Sequence, residues 1–526
     1  MRGIGSVHGA ELILSLLIAV AALVTIARRL GIAYPIFLVI GGLVLGLVPG
    51  VPRIHVDPDL IFLVVLPPLL YIAAYFTPIR SLRANLGTIS SLAVGLVIAS
   101  ALAVAAVAHA LIPGIPWSLA FALGAIVAPT DAIAATAITA RLAVPRQIVT
   151  ILEGESLLND ATALTIYSIA LAVAAGGAFS SASTLLTFTG AILGGCAIGV
   201  AVGWIIARIR ARLEDTPVEM TISLLTPYAA FVPADRLDAS GVIATVAAGL
   251  YLGHRGSRIM GADARLTGRA VWETITFLLN GFVFIVMGLE VPLLLRALTP
   301  SLAIQLVGIG VAVTMVLVLV RALWIFGTVY LPQRIRGRPD AFGCSVVLSW
   351  AGMRGVVSLA ATLALPLTLP ASGLFPARES LVIVTLTVMV LTLLGQGLTL
   401  PWLIRALRLP ENAGLREEEA RARQRLLEAA TRRLDQLSPV WPGHRPLLDQ
   451  LRETYRHRSE HVERQFEQSA SDGEDRELIE HREIRRTIID SEREALQRLR
   501  AEGEVNEEVL RDLERELDLE ERRMDA

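Results

Sequence analysis

Apolar runs of near-membrane length follow one another from Glu11 to about Leu403, separated by short patches of Pro, Gly and Arg. Each approaches the roughly 20 residues that cross about 30 Å of hydrocarbon as a helix. Splitting the runs at that punctuation predicts thirteen segments, at about 11–29, 32–48, 59–76, 86–111, 117–139, 147–175, 184–207, 218–233, 240–253, 270–291, 301–330, 341–366 and 379–403. The eighth and ninth are short enough to be one broken pair, so the pattern allows twelve to fourteen spans. After Pro410 the pattern inverts to Glu, Arg and Leu. Leu427, Ala430, Leu434 and Leu437 keep the 3-4-3 spacing of a helical seam, Pro439-Val440-Trp441-Pro442-Gly443 interrupts it, and further helices are predicted over 445–467 and 476–519. The chain thus divides into a membrane region, 1–410, and a soluble helical tail, 411–526, read as a helical hairpin or dimerising coil or else as a ligand- or pH-sensing domain.

Composition sharpens this picture. Apolar residues make up 54% of the chain and charged ones 18%, with a mean hydropathy of +0.60, whereas charged residues in a soluble domain approach a quarter. The net charge of −1 averages two unlike parts, and all 47 basic residues are arginine. Their distribution sets an orientation, because arginine-rich short loops stay cytoplasmic. Alternate loops carry Arg28 and Arg29, then Arg80 and Arg83, Arg141 and Arg146, Arg208 to Arg212, Arg255 to Arg269, and Arg334 to Arg338. An outside N-terminus and a cytoplasmic tail are therefore predicted, with the first run a retained span and not a signal peptide. Cys196 and Cys344 fall in different segments and define neither a disulfide framework nor a metal site. No Walker A pattern or HExxH is present, which argues against an ATP-driven pump or a zinc protease. His55, His109 and His254 fall near predicted loop ends.

The candidate chemistry lies in three segments. The sixth carries Glu153-Gly154-Glu155-Ser156-Leu157-Leu158-Asn159-Asp160 inside an apolar run. Ionised groups near a bilayer centre cost about 2.5–3.5 kcal/mol each on insertion scales, so a span that keeps several uses them. Residues four apart share a helix face, which stacks Ser156 on Asp160 and, about 100° away, Glu155 on Asn159. The first face offers hydroxyl and carboxylate oxygens suited to a hard cation. The fifth segment is broken at Ala128-Pro129-Thr130-Asp131, where proline removes a donor; the twelfth is broken at Gly352-Met353-Arg354-Gly355. Two interrupted helices seven segments apart, each with a charge at its break, fit the inverted repeats of secondary transporters. Thr130, Asp131, Ser156 and Asp160 are the candidate cation ligands and Asp160 is the carboxylate for which cation and proton compete. Arg321, in the eleventh segment, needs an acid, for which Glu155 is the natural candidate; Arg354 serves either the carbonyl end of a half-helix or a second acid such as Asp131. Glu153 is nearest the cytoplasmic entrance, either as a solvated end residue or with a role in ion entry, and Pro67-Pro68 predicts a kink in the third segment.

Four blocks in order, Leu66-Pro67-Pro68-Leu69-Leu70, Ala128-Pro129-Thr130-Asp131, Gly154 to Asp160 and Gly352 to Gly355, resemble those of the cation:proton antiporter 1 family, the NhaP-type bacterial and archaeal Na+/H+ antiporters. The resemblance covers about Glu11–Leu403. It implies a thirteen-span all-α fold with crossed, unwound fifth and twelfth helices, divided into dimerisation and core parts of a homodimer in the bacterial inner membrane. It further implies that Asp160 exchanges the ion or proton, that Thr130, Asp131 and Ser156 help ligate, and that Glu155 pairs with Arg321. Asn159 stands where electrogenic relatives have a second aspartate, which implies electroneutral exchange. Where some members carry an acid after the proline pair, this chain has Tyr71-Ile72-Ala73-Ala74. The partners so implied are Na+, Li+ or K+, protons, membrane lipid and a second copy, with no cofactor, no nucleic acid and no enzymatic activity. A K+/H+ antiporter is the close alternative, and a cation channel the more distant one.

Overall fold

The computed structural model describes residues 4–30, 33–48, 61–139, 142, 144–176, 181–213, 215–296, 298–337, 340–363, 365–366, 368–369, 373–374, 378–408, 413–467, 474–502, 509–510, 513–514, 517–518 and 520–521. The chain separates into two compact units, Met1–Asn412 and Ala413–Ala526. In the first, the helices are α1 Ile4–Leu30, α2 Tyr34–Leu47, α3 Leu66–Phe76, α4 Ile79–Ala84, α5 Leu86–Leu111, α6 Trp117–Val127, α7 Ala132–Thr139, α8 Arg146–Ala174, α9 Ser181–Arg210 and α10 Thr216–Arg236. They continue as α11 Gly241–Ile259, α12 Ala262–Arg296, α13 Pro300–Ile335, α14 Ala341–Trp350, α15 Val356–Leu363 and α16 Arg378–Leu407. Seven helices among the described residues are long and apolar enough to cross a membrane, accompanied by shorter apolar ones. Thr368–Leu369 and Gly373–Leu374 form a two-residue antiparallel ladder; otherwise the described regular structure is helical. The protein is a multi-pass, all-α membrane protein.

The expected segments correspond to these helices in order. The eighth and ninth are two whole helices, α10 and α11, and not one broken helix. The chain turns between them through Asp238, at φ 55°, and Ser240 caps α11 by accepting the Ile243 N–H at 3.3 Å. Pro67 and Pro68 sit in the first turn of α3, where missing donors cost nothing, directly after a widened turn at Ile61–Val65. His109 stacks on Trp117 at the end of α5, with ring centroids 4.2 Å apart. His254 lies inside α11 and not at its end; His55 lies outside the described residues.

Lipid tails are as apolar as leucine, so helices in a membrane associate through close packing at small residues. The α2–α12 pair shows this most clearly. A Cβ on Gly42 would run into the backbone of Ile285, Gly288 and Leu289, and one on Gly288 into the backbone of Val39 and Leu43. The largest buried cluster draws Leu38 from α2, Leu123 from α6, Ile151 from α8, Phe284 from α12 and Leu348 from α14. It thereby surrounds both interrupted segments.

In the second unit, α17 Ala413–Leu437 and α18 Arg445–Glu467 pack together with Leu434 and Leu448 buried, and Arg452 reaches Asp435 at 2.9 Å. α19 Glu474–Ala501 follows. One helix over 476–519 is not formed: Arg493 meets Asp518 at 2.6 Å and Glu521 at 2.7 Å, whereas a straight helix would hold residues 25 apart separated by about 37 Å. The chain therefore reverses between Arg493 and Asp518, a stretch whose sequence contains Gly503, a punctuation signal within an otherwise helical pattern.

Candidate functional site

Two short unwound stretches meet beside α8. Residues 128–131 separate α6 from α7, and residues 351–355 separate α14 from α15. They touch through the Asp131 N–H, which donates to the Met353 carbonyl at 2.8 Å. Breaking a helix in a membrane frees backbone groups that must find partners inside the protein. Here charged side chains supply them at all four half-helix ends. The Asp131 carboxylate accepts the Ile133 N–H at 2.8 Å and the Val356 N–H at 3.4 Å, so one carboxylate caps the N-termini of α7 and α15 together. Arg354 donates through Nη1 to the Ala128 carbonyl at 2.6 Å, at the C-terminus of α6. Arg321 donates through Nε to the Leu348 carbonyl at 2.9 Å, at the C-terminus of α14. Each charge has the sign that the local helix dipole favours.

Arg321, on α13, is also the partner of Glu155. Its Nη1 and Nη2 donate to the two carboxylate oxygens at 2.5 and 2.9 Å, and both side chains are almost wholly buried. This bidentate geometry is what a planar guanidinium supplies and an ammonium does not. The Thr130 hydroxyl donates to Glu155 at 2.8 Å and accepts from the Asn159 amide at 3.0 Å, and the same Asn159 nitrogen lies 3.1 Å from the Thr130 carbonyl. Expected as a cation ligand, Thr130 thus has its hydroxyl in the Glu155–Asn159 network, with one lone pair left. Ser156 accepts the Ala132 N–H at 3.2 Å. Successive residues of α8 therefore grip the break between α6 and α7, as the i, i+4 spacing of Glu155 and Asn159 allows.

Asp160 differs from its neighbours. It is 6% exposed, one turn along α8 from Ser156, and among the described residues no hydrogen bond or ion pair reaches its carboxylate, while Asp131 is an electrostatic neighbour. Arg354 forms no ion pair with Asp131 among the described residues; of the two roles expected for it, the structure places it on a half-helix carbonyl. Glu153 is half-buried two turns from the start of α8, near Arg146. Among the described residues no cluster of three His, Cys, Asp or Glu side chains is arranged to hold a metal ion, and neither Cys196 nor Cys344 forms a disulfide. Tyr34 and Asn280, which the sequence pattern did not single out, lie near this crossing; the signal for Asn280 was a lone amide between Leu279 and Gly281 in the tenth segment.

Comparison with known proteins agrees with the geometry. The family model for the transmembrane sodium/hydrogen exchangers matches residues 14–406. An uncharacterized Na+/H+ exchanger of Mycobacterium tuberculosis is 34% identical over 532 residues, spanning 98% of this chain and 96% of its own length. A sodium, potassium, lithium and rubidium/H+ antiporter of Bacillus subtilis is 28% identical over 406 residues, covering 74% of this chain and 61% of that one. The structure of a sodium proton antiporter from Methanocaldococcus jannaschii superposes with a TM-score of 0.60 at 19% identity, over 76% of this chain and 99% of that one, and so shares the fold. With a family match that spans both broken helices and α8, the chain belongs to the sodium/hydrogen exchangers, which are membrane antiporters and not enzymes.

Proposed function

We propose that this protein exchanges Na+ or Li+ for H+, one for one, at Asp160. The carrying observation is that Asp160 is the one carboxylate of the crossing without a protein partner among the described residues, while Glu155 and Asp131 are both engaged. Glu155, Asp131 and Asp160 bring three negative charges and Arg321 and Arg354 two positive ones, leaving one negative charge. One monovalent cation or one proton neutralises it, and the two compete for the same oxygen atoms. A buried site that is neutral in either loaded form and charged when empty crosses the membrane region loaded far more readily than empty, which couples the two flows. Ser156, Asp131 and the remaining lone pair of Thr130 supply further oxygens beside Asp160, in keeping with the preference of hard cations for oxygen.

Alternating access around this site completes the cycle, with the interrupted helices moving against the rest of the membrane region. The function so described serves sodium and pH homeostasis in the bacterial inner membrane, with the N-terminus outside, the region 1–410 divided into dimerisation and core parts of a homodimer, and the tail 411–526 in the cytoplasm. The relative named as a sodium, potassium, lithium and rubidium/H+ antiporter favours a second reading, in which K+ is also carried at the same carboxylate.

The test is proton flux in proteoliposomes after addition of Na+, Li+ or K+ in turn, for the native chain and Asp160→Asn. The native chain is expected to respond and Asp160→Asn to give no cation-driven flux. Retained exchange in Asp160→Asn would remove Asp160 from the mechanism, and conductance without a proton gradient would favour a channel.

A further inference from the structure

Asn280 lies in the middle of α12 with no exposed surface, and neither its amide nitrogen nor its amide oxygen has a hydrogen-bond partner. Buried amides are almost always hydrogen-bonded, and one left wholly unpaired calls for an explanation. In a span facing hydrocarbon and packed helices, water does not supply the missing partners freely.

Its surroundings give the explanation. The Tyr34 phenol, at the start of α2, is close enough to the Asn280 amide to act on it electrostatically but outside hydrogen-bond geometry, and it is within electrostatic reach of the Asp131 carboxylate. The Tyr34 ring packs on Phe277, one turn before Asn280, with centroids 6.0 Å apart. α2 and α12 are pressed backbone to backbone at Gly42 and Gly288, so the two helices present Tyr34 and Asn280 as one rigid pair. α2 also packs against α7, the half-helix that Asp131 caps. The pair thus holds two polar groups, one amide and one phenol, beside the ion-bearing crossing, on helices that contribute none of the ligands proposed above.

We propose that Asn280 and Tyr34 form a second, transient station for the transported monovalent cation, on the α7 side of Asp131. The amide oxygen and the phenol oxygen are neutral, oxygen-based ligands. They replace part of the hydration shell of a small cation without holding it as a carboxylate would, so an ion passing to or from Asp160 is not trapped there. Because the pair belongs to α2 and α12, it greets the ion in the conformation that opens the crossing toward α7. The proposal rests on the reading of Asp160 as the exchange site.

The experiment compares cation-dependent proton flux of the native chain, Asn280→Leu, Asn280→Ser and Tyr34→Phe in proteoliposomes, titrating Na+, Li+ and K+ separately. Loss of one dipolar ligand to a cation is expected to raise the apparent KM by about tenfold. Asn280→Leu is expected to show that rise with an unequal effect on Li+, Na+ and K+, Asn280→Ser to recover part of it, and Tyr34→Phe, which keeps the ring packing, to show a smaller rise. Unchanged KM and unchanged cation preference in both Asn280→Leu and Tyr34→Phe would overturn the proposal and leave the amide as packing alone. If Asn280→Leu does not fold, Tyr34→Phe and Asn280→Ser decide the matter, equal KM values for both and the native chain counting against it. Absence of cation-driven flux in the native chain would instead overturn the exchange reading itself, so the two failures are distinct.

Discussion

At the scale of single residues, the buried Glu155–Arg321 pair is the clearest separation of scaffold from chemistry. Two charges removed from water attract strongly, yet their desolvation offsets much of that gain, so such a pair adds little net stability while the loss of one partner leaves an uncompensated charge. Glu155→Gln is expected to lower stability by about 3–5 kcal/mol, since Arg321 would lose its counter-charge and one of its two acceptor oxygens at residue 155, keeping only neutral acceptors such as the Leu348 carbonyl. Adding Arg321→Met to it is expected to recover part of that loss. Thermal unfolding of the purified protein in detergent checks both, and a double variant less stable than Glu155→Gln would show that Arg321 is needed for the α14 end and not for Glu155. The stacking of Glu155 on Asn159 and of Ser156 on Asp160 was legible from spacing alone, since it follows from 3.6 residues per turn. That the Thr130 hydroxyl would turn toward Glu155 and Asn159 was not legible, because a threonine at a helix break is equally able to face the ion or the scaffold. Asn280 was hidden for a related reason: a lone amide in an apolar run has no partner within its own helix to give it away.

At the scale of elements, the two broken helices are held open by charges of matched sign. Pro129, Gly352 and Gly355 announced the breaks in the sequence, but the sharing of one carboxylate between two helix N-termini depends on residues more than 200 positions apart and has no local signature. Asp131 therefore carries a structural task besides any part in ion binding. Gly355 makes the arrangement possible, because a Cβ there would overlap the Asp131 carboxylate. Gly355→Ala is expected to push that carboxylate off both N–H groups and to lower stability by about 1–4 kcal/mol, two caps at roughly 0.5–2 kcal/mol each, with loss of cation-driven flux. Gly308→Ala in α13, where an added Cβ meets nothing within 4 Å, is expected to be neutral or slightly stabilising, since alanine favours helix. Equal behaviour of the two variants in unfolding and flux assays would mean that Asp131 moves aside easily and that its double cap is not essential.

At the scale of the whole molecule, the charge count of the crossing governs what a membrane potential does to transport. If one positive charge moves inward for each that moves outward, the equilibrium cation ratio equals the proton ratio whatever the potential. A net movement of one charge would instead feel about 2.3 kcal/mol per 100 mV, which is roughly a fifty-fold bias and easily seen. The native protein is therefore expected to reach the same Na+ gradient, for a given pH gradient, with liposomes clamped at 0 mV or at 100 mV. A gradient that follows the potential would mean that a second proton travels with Asp160. The same count predicts what Asn159→Asp would do. The Asn159 amide donates to the Thr130 carbonyl and hydroxyl, and an ionised carboxylate there would face that carbonyl with no proton to give. Only the protonated acid restores a donor at that position, so the new group is expected to keep its proton through the cycle and to slow exchange without making it sensitive to voltage. Voltage-dependent transport in Asn159→Asp would show that the Thr130 contact yields during the cycle, and that the network around Glu155 takes part in the movement it otherwise restrains.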